Sequence, residues 1–330
     1  MFVATSDLSA APPLSRYPAD RHAAPGRAPV RVGLVQHRWQ PDLEAVVTEL
    51  AEGIRIAAEA GARAVFLPEI TLLQYPAFTR GGPDAAADAE DLDSGPTVTF
   101  ARRIATLHGI FVHASVYERA TEIDDGLGFN TAVLISPDGE LIGRTRKLHI
   151  PVTSGYYEDT YFRPGPSDDP HPVYRPDGLG AAVGLPTCWD EWFPELARSY
   201  SLAGADIIAY PTAIGSEPDF PDFDTEPLWQ QVIVGNAITA GTFMVVPNRW
   251  GDEGEITFYG SSFICDPYGR ILVQAPRDES AVLVADLDLD QRRDWLTLFP
   301  FLRTRRPDTY AALVEPVADT ALGESEPRTR

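Results

Sequence analysis

Basic residues are scarce in this chain: 27 Lys and Arg stand against 48 Asp and Glu, giving a formal charge of −21 and an isoelectric point near 4.6. Nucleic acid needs a basic footprint, and an anionic membrane surface attracts the same sign of charge, so neither is an expected partner. No apolar run approaches the roughly 18–20 residues of a membrane helix. Residues 1–29 lack the basic start and unbroken apolar stretch of a secretory signal, so the expected location is the cytoplasm. Cysteine is as sparse. Cys188 and Cys265 stand alone and form no C-x-x-C pair, which excludes a disulfide framework. The six histidines show no close ligand spacing such as H-E-x-x-H, so no metal is expected. Phosphate-loop and dinucleotide-turn glycine patterns are missing too, and no cofactor is expected.

What is present suits a large folded core. Hydrophobic residues make up 44% of 330 positions, enough for one large α/β domain or two small ones. Residues 1–29, rich in Ala, Pro and Ser, read as a flexible arm, residues 30–316 as one domain, and residues 317–330 as a flexible polar tail. Strands are predicted at 30–36, 64–67, 111–117, 129–136 and 140–146, and later at 206–210, 243–246, 261–266, 270–274 and 281–286. Asp42 caps a predicted helix whose apolar positions include Val46, Leu50, Ile54 and Ala57. Further helices are predicted at 97–108, 194–203 and 226–241. Pro137-Asp138-Gly139 and Pro267-Tyr268-Gly269 are turn signals that make hairpins of their flanking strands. Strand–helix–strand units alternating with hairpins imply mixed sheets. Residues 151–179, dense in Pro, Gly and Tyr, read as a long functional loop.

Three apolar runs end in a reactive group. Ala181 to Thr187 stops at Cys188, and a helix-like segment follows, which is the strand-turn-helix elbow that exposes a nucleophile. Ala64 to Pro68 ends at Glu69, and Leu141 to Thr145 leads to Lys147. Alone, a free cysteine is usually a small buried hydrophobe, a lysine a solvated charge and a glutamate a cap. Together, a thiol, a carboxylate and an ammonium at three strand ends can meet in one crevice, because ligands of α/β proteins collect at the carboxyl edges of strands. Cys265, ahead of a turn, reads as a core residue, and His149 as a hydrogen-bonded structural residue.

These motifs carry a resemblance. Pro68-Glu69, Lys147-Leu148-His149-Ile150-Pro151 and Cys188-Trp189-Asp190-Glu191-Trp192-Phe193-Pro194-Glu195 resemble, in order, the Glu-Lys-Cys triad of the nitrilase superfamily of carbon–nitrogen hydrolases. Gly155-Tyr156-Tyr157-Glu158, Tyr210-Pro211-Thr212-Ala213, Tyr259-Gly260-Ser261-Ser262 and Arg305-Arg306-Pro307-Asp308 are similar to its N-carbamoylputrescine amidohydrolase branch. The resemblance implies a four-layer αββα sandwich with mixed sheets, often paired into a homodimer or higher homo-oligomer. It implies Cys188 as nucleophile, Glu69 as proton shuttle, Lys147 and the Trp189 backbone N–H as oxyanion partners, and Glu158 as a positioning acid. Tyr75, Asp190, Glu191, Trp192 and Thr212 fall on its substrate-binding stretches. Acidic residues directly after Cys188 either hold a cationic substrate or merely favour the positive start of a helix. Two stretches depart from the branch: the chain reads Ile70-Thr71-Leu72-Leu73-Gln74 after Glu69, and Val234-Gly235-Asn236 in the later helix. The expected substrate is a small amide or ureido compound, first an N-carbamoyl amine. An amidase or nitrilase for another metabolite is the second reading, and a catalytically silent binding or assembly protein of the same fold the third.

Overall fold

The computed structural model describes residues 1–6, 26–121, 123 and 125–317. Its seventeen strands are β1 (Phe2–Thr5), β2 (Val30–Gln36), β3 (Ala64–Phe66), β4 (Phe111–Glu118), β5 (Phe129–Ile135), β6 (Leu141–Arg146), β7 (Val152–Thr153), β8 (Tyr156–Tyr157), β9 (Val173–Tyr174), β10 (Val183–Gly184), β11 (Ile207–Ala209), β12 (Phe243–Val246), β13 (Trp250–Asp252), β14 (Thr257–Tyr259), β15 (Phe263–Cys265), β16 (Ile271–Gln274) and β17 (Ala281–Leu287). The α-helices are α1 (Leu43–Glu59), α2 (Pro96–His108), α3 (Pro194–Leu202), α4 (Glu226–Ala240) and α5 (Asp290–Leu298).

The strands form two large mixed sheets, ordered β1-β17-β2-β3-β4-β5-β6 and β16-β15-β12-β11-β10-β9. Side chains alternate across each strand and so divide between two cores. Val32 and Leu34 of β2 meet Ile207 and Ala209 of β11 and Val245 of β12 in the layer between the sheets. Their neighbours face outward. Val35, Val65 and Val112 pack under α1 and α2 through Val46, Leu50, Val98 and Ile104, while Ile208, Met244 and Val246 pack under α3 and α4 through Leu196, Tyr200, Trp229 and Ile233. The result is helix, sheet, sheet, helix, the expected αββα sandwich. Among the described residues no helix is long and apolar enough to cross a membrane.

Local chemistry sets the elements. The Asp42 carboxylate accepts from the Glu44 amide and caps α1, and Gly109 takes the left-handed backbone that ends α2. Gly184 in β10 lies where a Cβ would fall 2.4 Å from the Tyr200 ring, so only glycine lets α3 settle onto the sheet beside Cys188.

Two expectations change. Phe2–Thr5 is no part of a flexible arm: it pairs in parallel with Ala281–Val284 of β17 as the edge strand of the first sheet. Its four residues form too short a run to stand out in an Ala- and Pro-rich segment, and its partner lies at the far end of the chain. Residues 7–25 of that arm and 318–330 of the tail fall outside the described residues. The 151–179 loop carries more order than its composition implies, with the β7–β8 hairpin, a 3₁₀ turn at Glu158–Thr160 and the edge strand β9. Helix α5 and the β13–β14 hairpin were not anticipated.

Candidate active site

Each reactive side chain is delivered by a strand end and fixed by the turn that follows. The chain leaves β3 and turns sharply after Glu69, where Ile70 has a φ of 46°. The Glu69 amide donates to Thr212 O at 3.4 Å, and Ser115 Oγ accepts from the Ile70 amide at 3.0 Å. Lys147 follows β6, its amide bonded to Asn130 O at 2.8 Å. Cys188 opens a 3₁₀ helix, Cys188–Trp192, closed by a capping box between Thr187 and Asp190. Its φ is 41°, a left-handed conformation that costs a non-glycine residue roughly 1–2 kcal/mol. Its amide is held by Pro211 O at 3.0 Å. Thus the thiol and the carboxylate both sit at strained turns whose backbones are pinned by the same segment, Pro211-Thr212.

Lys147 organises the charges. Its Nζ donates to Glu69 Oε1 at 2.9 Å and to Glu158 Oε1 and Oε2 at 2.8 and 2.7 Å, and all three side chains are buried. Three hydrogens meet three acceptor oxygens, which fixes the ammonium in place. Asn130 Nδ2 also donates to Glu69 Oε1, at 2.6 Å, and Tyr75 Oη donates to Glu158 Oε1, at 2.8 Å. Glu69 Oε2 remains buried and without a hydrogen-bond partner.

Burial lowers the Lys147 pKa, but Glu158 and Glu69 outweigh it and push it above its ordinary value. Burial drives the Cys188 thiol well above its usual range, and the Glu69 charge adds to this against the pull of Lys147. The resting group is therefore a thiol, so attack requires a base at that moment rather than a stored thiolate. Burial also pushes the Glu158 carboxyl up to about 7, opposed by Lys147 and helped by Glu69.

Of the residues expected at the substrate, Asp190 has a different task. Its Oδ1 accepts from the His149 amide at 2.9 Å and faces His149 Nδ1 at 2.7 Å, and its Oδ2 accepts from the Thr187 amide at 3.1 Å and the Leu148 amide at 3.4 Å. It ties the segment after Lys147 to the Cys188 elbow, because a short buried carboxylate is best satisfied by backbone N–H groups. His149 stacks on Phe193 at 3.7 Å between ring centroids. Tyr75 is engaged with Glu158, and Thr212 Oγ1 donates to Tyr210 O at 2.9 Å. Glu191 and Trp192 keep unpartnered polar atoms, and Trp189, half-buried, lies 6.1 Å from Trp192 between ring centroids.

Sequence reasoning missed Asn130, whose signal was an amide in the mainly apolar strand β5. It also missed Arg249 and Glu253. The fully buried Arg249 donates through Nη1 to both Glu253 oxygens at 2.9 Å, and through Nη2 to Ile70 O at 2.8 Å and Leu73 O at 2.9 Å. Glu253 Oε2 in turn accepts from the Tyr75 amide at 3.1 Å. This ion pair staples the loop that carries both Glu69 and Tyr75. The pair itself is four residues apart, but the loop it holds lies more than 170 residues away, so no local pattern could reveal the staple.

Residues 31–296 match the carbon-nitrogen hydrolase family model. The chain is 36% identical over 295 residues to a citrullinase of Francisella tularensis subsp. tularensis, covering 87% of this chain and 99% of that one. It is 34% identical over 297 residues to an N-carbamoylputrescine amidase of Arabidopsis thaliana, covering 87% and 96%. A carbon-nitrogen hydrolase structure from Helicobacter pylori G27 superposes with a TM-score of 0.79 at 29% identity, over 88% of this chain and 100% of that one. An amidase of the nitrilase superfamily from Nesterenkonia AN1, at 22% identity, shares the fold with a TM-score of 0.68 over 88% and 100%.

Proposed function

Because the chain belongs to the carbon–nitrogen hydrolase family and is thereby a hydrolase of amides or ureido compounds, we propose that it cleaves N-carbamoyl amines of the N-carbamoylputrescine type with Cys188 as nucleophile. The observation that carries this reading is the single buried ammonium of Lys147 held between Glu69 and Glu158, with one Glu69 oxygen left without a partner in a site that also holds the Cys188 thiol.

The chemistry runs in two halves. Glu69 Oε2 takes the thiol proton as Sγ bonds to the ureido carbon, and the carbonyl oxygen gains the negative charge. Lys147 and the Trp189 N–H stabilise that charge, and they act where water is excluded, which strengthens them. The C–N bond then breaks, the Glu69 proton passes to the departing nitrogen, and a thioester-type acyl-enzyme remains. Water, deprotonated by Glu69, attacks that carbon and expels the thiolate, which regains its proton. The carbamic acid released collapses to carbon dioxide and an amine or ammonia. Relatives named for citrulline and for N-carbamoylputrescine both act, by those names, on ureido compounds, which favours a ureide over a nitrile. Assembly into a homodimer or higher homo-oligomer belongs to the same reading, and light scattering of the purified chain tests it.

The test is ammonia release across ureides, amides and nitriles, with intact-mass detection of the acyl adduct on Cys188. Turnover of ureides with an adduct of the matching mass is expected. Preference for simple amides would move the assignment to an amidase, and no turnover of any class would favour a silent member of the family.

A further inference from the structure

A second group of buried polar atoms lies beside the triad, and no protein group satisfies it. Glu191 is fully enclosed, and neither of its carboxyl oxygens has a hydrogen-bond partner. Trp229 Nε1, Tyr210 Oη and Tyr259 Oη are buried and unpartnered as well. The Trp229 and Tyr259 rings lie 5.4 Å apart, and these aromatics share one apolar cluster with Cys188. Glu191 is the fourth residue of the 3₁₀ helix that Cys188 opens. Residues three apart on such a helix fall on one face, separated by about 6 Å of rise. Asn236 Nδ2 donates to Glu191 O at 2.7 Å and fixes that backbone. The indole N–H of Trp229 acts on the carboxyl and favours its ionised form, although the geometry falls short of a closed hydrogen bond.

Buried polar groups normally find partners, so four unpartnered ones in one place call for an occupant. The groups define its chemistry. An isolated carboxyl in apolar surroundings takes up either a proton or a cation. Burial, then the charge of Glu69, raise the Glu191 pKa well above the ordinary value, against the Trp229 indole N–H and Lys147 and with Asp190 adding to the rise. Cys188, Tyr210 and Tyr259 are the other titratable groups that feel its charge. The two hydroxyls accept as well as donate, and the faces of Trp and Tyr rings attract cations.

We infer that Glu191, with Trp229, Tyr210 and Tyr259, is the seat for the ammonium group of the substrate, and that an amine-bearing ureide displaces the Glu191 proton as it binds. This deepens the hydrolase reading and rests on it for the place of the ureido carbon at Cys188. The exchange balances: a neutral Glu191 acid and an alkylammonium become a carboxylate–ammonium pair, and one proton passes to solvent.

Two measurements test it, with N-carbamoylputrescine and N-butylurea as a pair that differs in the terminal amine. In the first, the ratio of their kcat/KM values is compared between the wild-type chain and Glu191→Gln. The ratio is expected to favour the amine in wild type and to fall by roughly 30-fold or more in the variant, whatever happens to the absolute rates, because one partner of a buried charge pair is gone. The second uses binding alone and so stands even if Glu191→Gln does not fold. Calorimetry of Cys188→Ala in two buffers of different ionisation enthalpy at about pH 7.5 is expected to show about one proton released with the amine and none with the butylurea. An unchanged ratio in a folded Glu191→Gln, or no proton release with the amine, overturns the inference. Loss of all turnover in wild type with proton release intact would instead refute the hydrolase reading and leave the ammonium seat standing.

Discussion

Replacing Lys147 with Met tests the charge arrangement directly. The substitution keeps the length and apolar stem of the side chain and deletes the ammonium. Three hydrogen bonds go with it, one to Glu69 and two to Glu158. What remains is a pair of buried carboxyls with no cation between them, held by Asn130 and Tyr75 alone. Breaking a buried pair by removing one partner costs about 3–5 kcal/mol, because the surviving charge stays uncompensated. That cost should depend on pH. With the ammonium gone, the Glu158 carboxyl is pushed further above its ordinary value, so the native state binds more protons than the unfolded one. Stability then falls as pH rises from the unfolded carboxyl pKa through the folded one. Near pH 8 the gap to wild type should be the full 3–5 kcal/mol or so. Near pH 5.5, where the orphaned Glu158 can protonate, it should shrink to about 1–3 kcal/mol, the cost of leaving a neutral polar group short of partners. Urea titrations followed by circular dichroism at the two pH values measure the gap. Parallel curves, with the same gap at both, would refute the reasoning and place Lys147 where solvent already screens its partners. Hydrolysis by this variant should fall by several orders of magnitude whichever way the stability result goes.

Three further outcomes follow from the same geometry. Cys188→Ala should fold with wild-type melting behaviour and lose turnover and the acyl adduct, as read by intact mass; substantial residual turnover would remove the thiol from the mechanism. The acidic limb of kcat/KM should fall through about 7, where Glu158 takes up its proton as pH drops and loosens its hold on Lys147; in Glu158→Gln that limb should vanish, and a limb that persists assigns it to another group. Arg249→Lys should lower kcat more than it raises KM, by roughly 10- to 100-fold, since a lysine cannot bridge Glu253, Ile70 O and Leu73 O together; an effect on melting temperature without one on kcat would make the staple purely structural.

The chemistry of this chain was more legible in its sequence than its packing was. Glu69, Lys147 and Cys188 were readable because each ends an apolar run, and a strand that stops at a reactive side chain is a local pattern. The helix begun by Asp42 and the hairpin at Pro137-Asp138-Gly139 were readable for the same reason, since caps and turns are set by neighbours in sequence. Contacts made by tertiary structure alone were not. The parallel pairing of Phe2–Thr5 with β17, the Arg249 bonds to Ile70 O and Leu73 O and the Asn130 bond to Glu69 join positions that no window can relate. Asp190 shows the subtler limit. Its charge and position suited a substrate pocket, but the unpaired amides of Leu148, His149 and Thr187 competed for its oxygens and took them. Adjacent acids with the same formal charge thus separate into a structural brace and an unpartnered carboxyl.

That separation bears on how the resting site keeps its charges in balance. Lys147 is the one cation hydrogen-bonded within the Glu69–Glu158 set, and it uses all three donors on those two acids. A third buried carboxylate at Glu191 would have no counterion, and the desolvation cost of such an ion exceeds what neighbouring dipoles return. On the proposed reading the free site favours Glu191 as a neutral acid, and a negative charge appears there when a ligand brings its own positive one. A carboxylate-bearing ureide cannot supply that charge and would meet the Glu191 acid beside Glu69, so electrostatics alone ranks it below its amine counterpart. The same ordering bears on the thiol: while Glu191 is neutral it adds no negative charge to the surroundings that already hold Cys188 protonated, and in the proposed mechanism activation is left to Glu69. In the proposed mechanism, selection of the amine and restraint of the thiol are thus two consequences of one missing counterion.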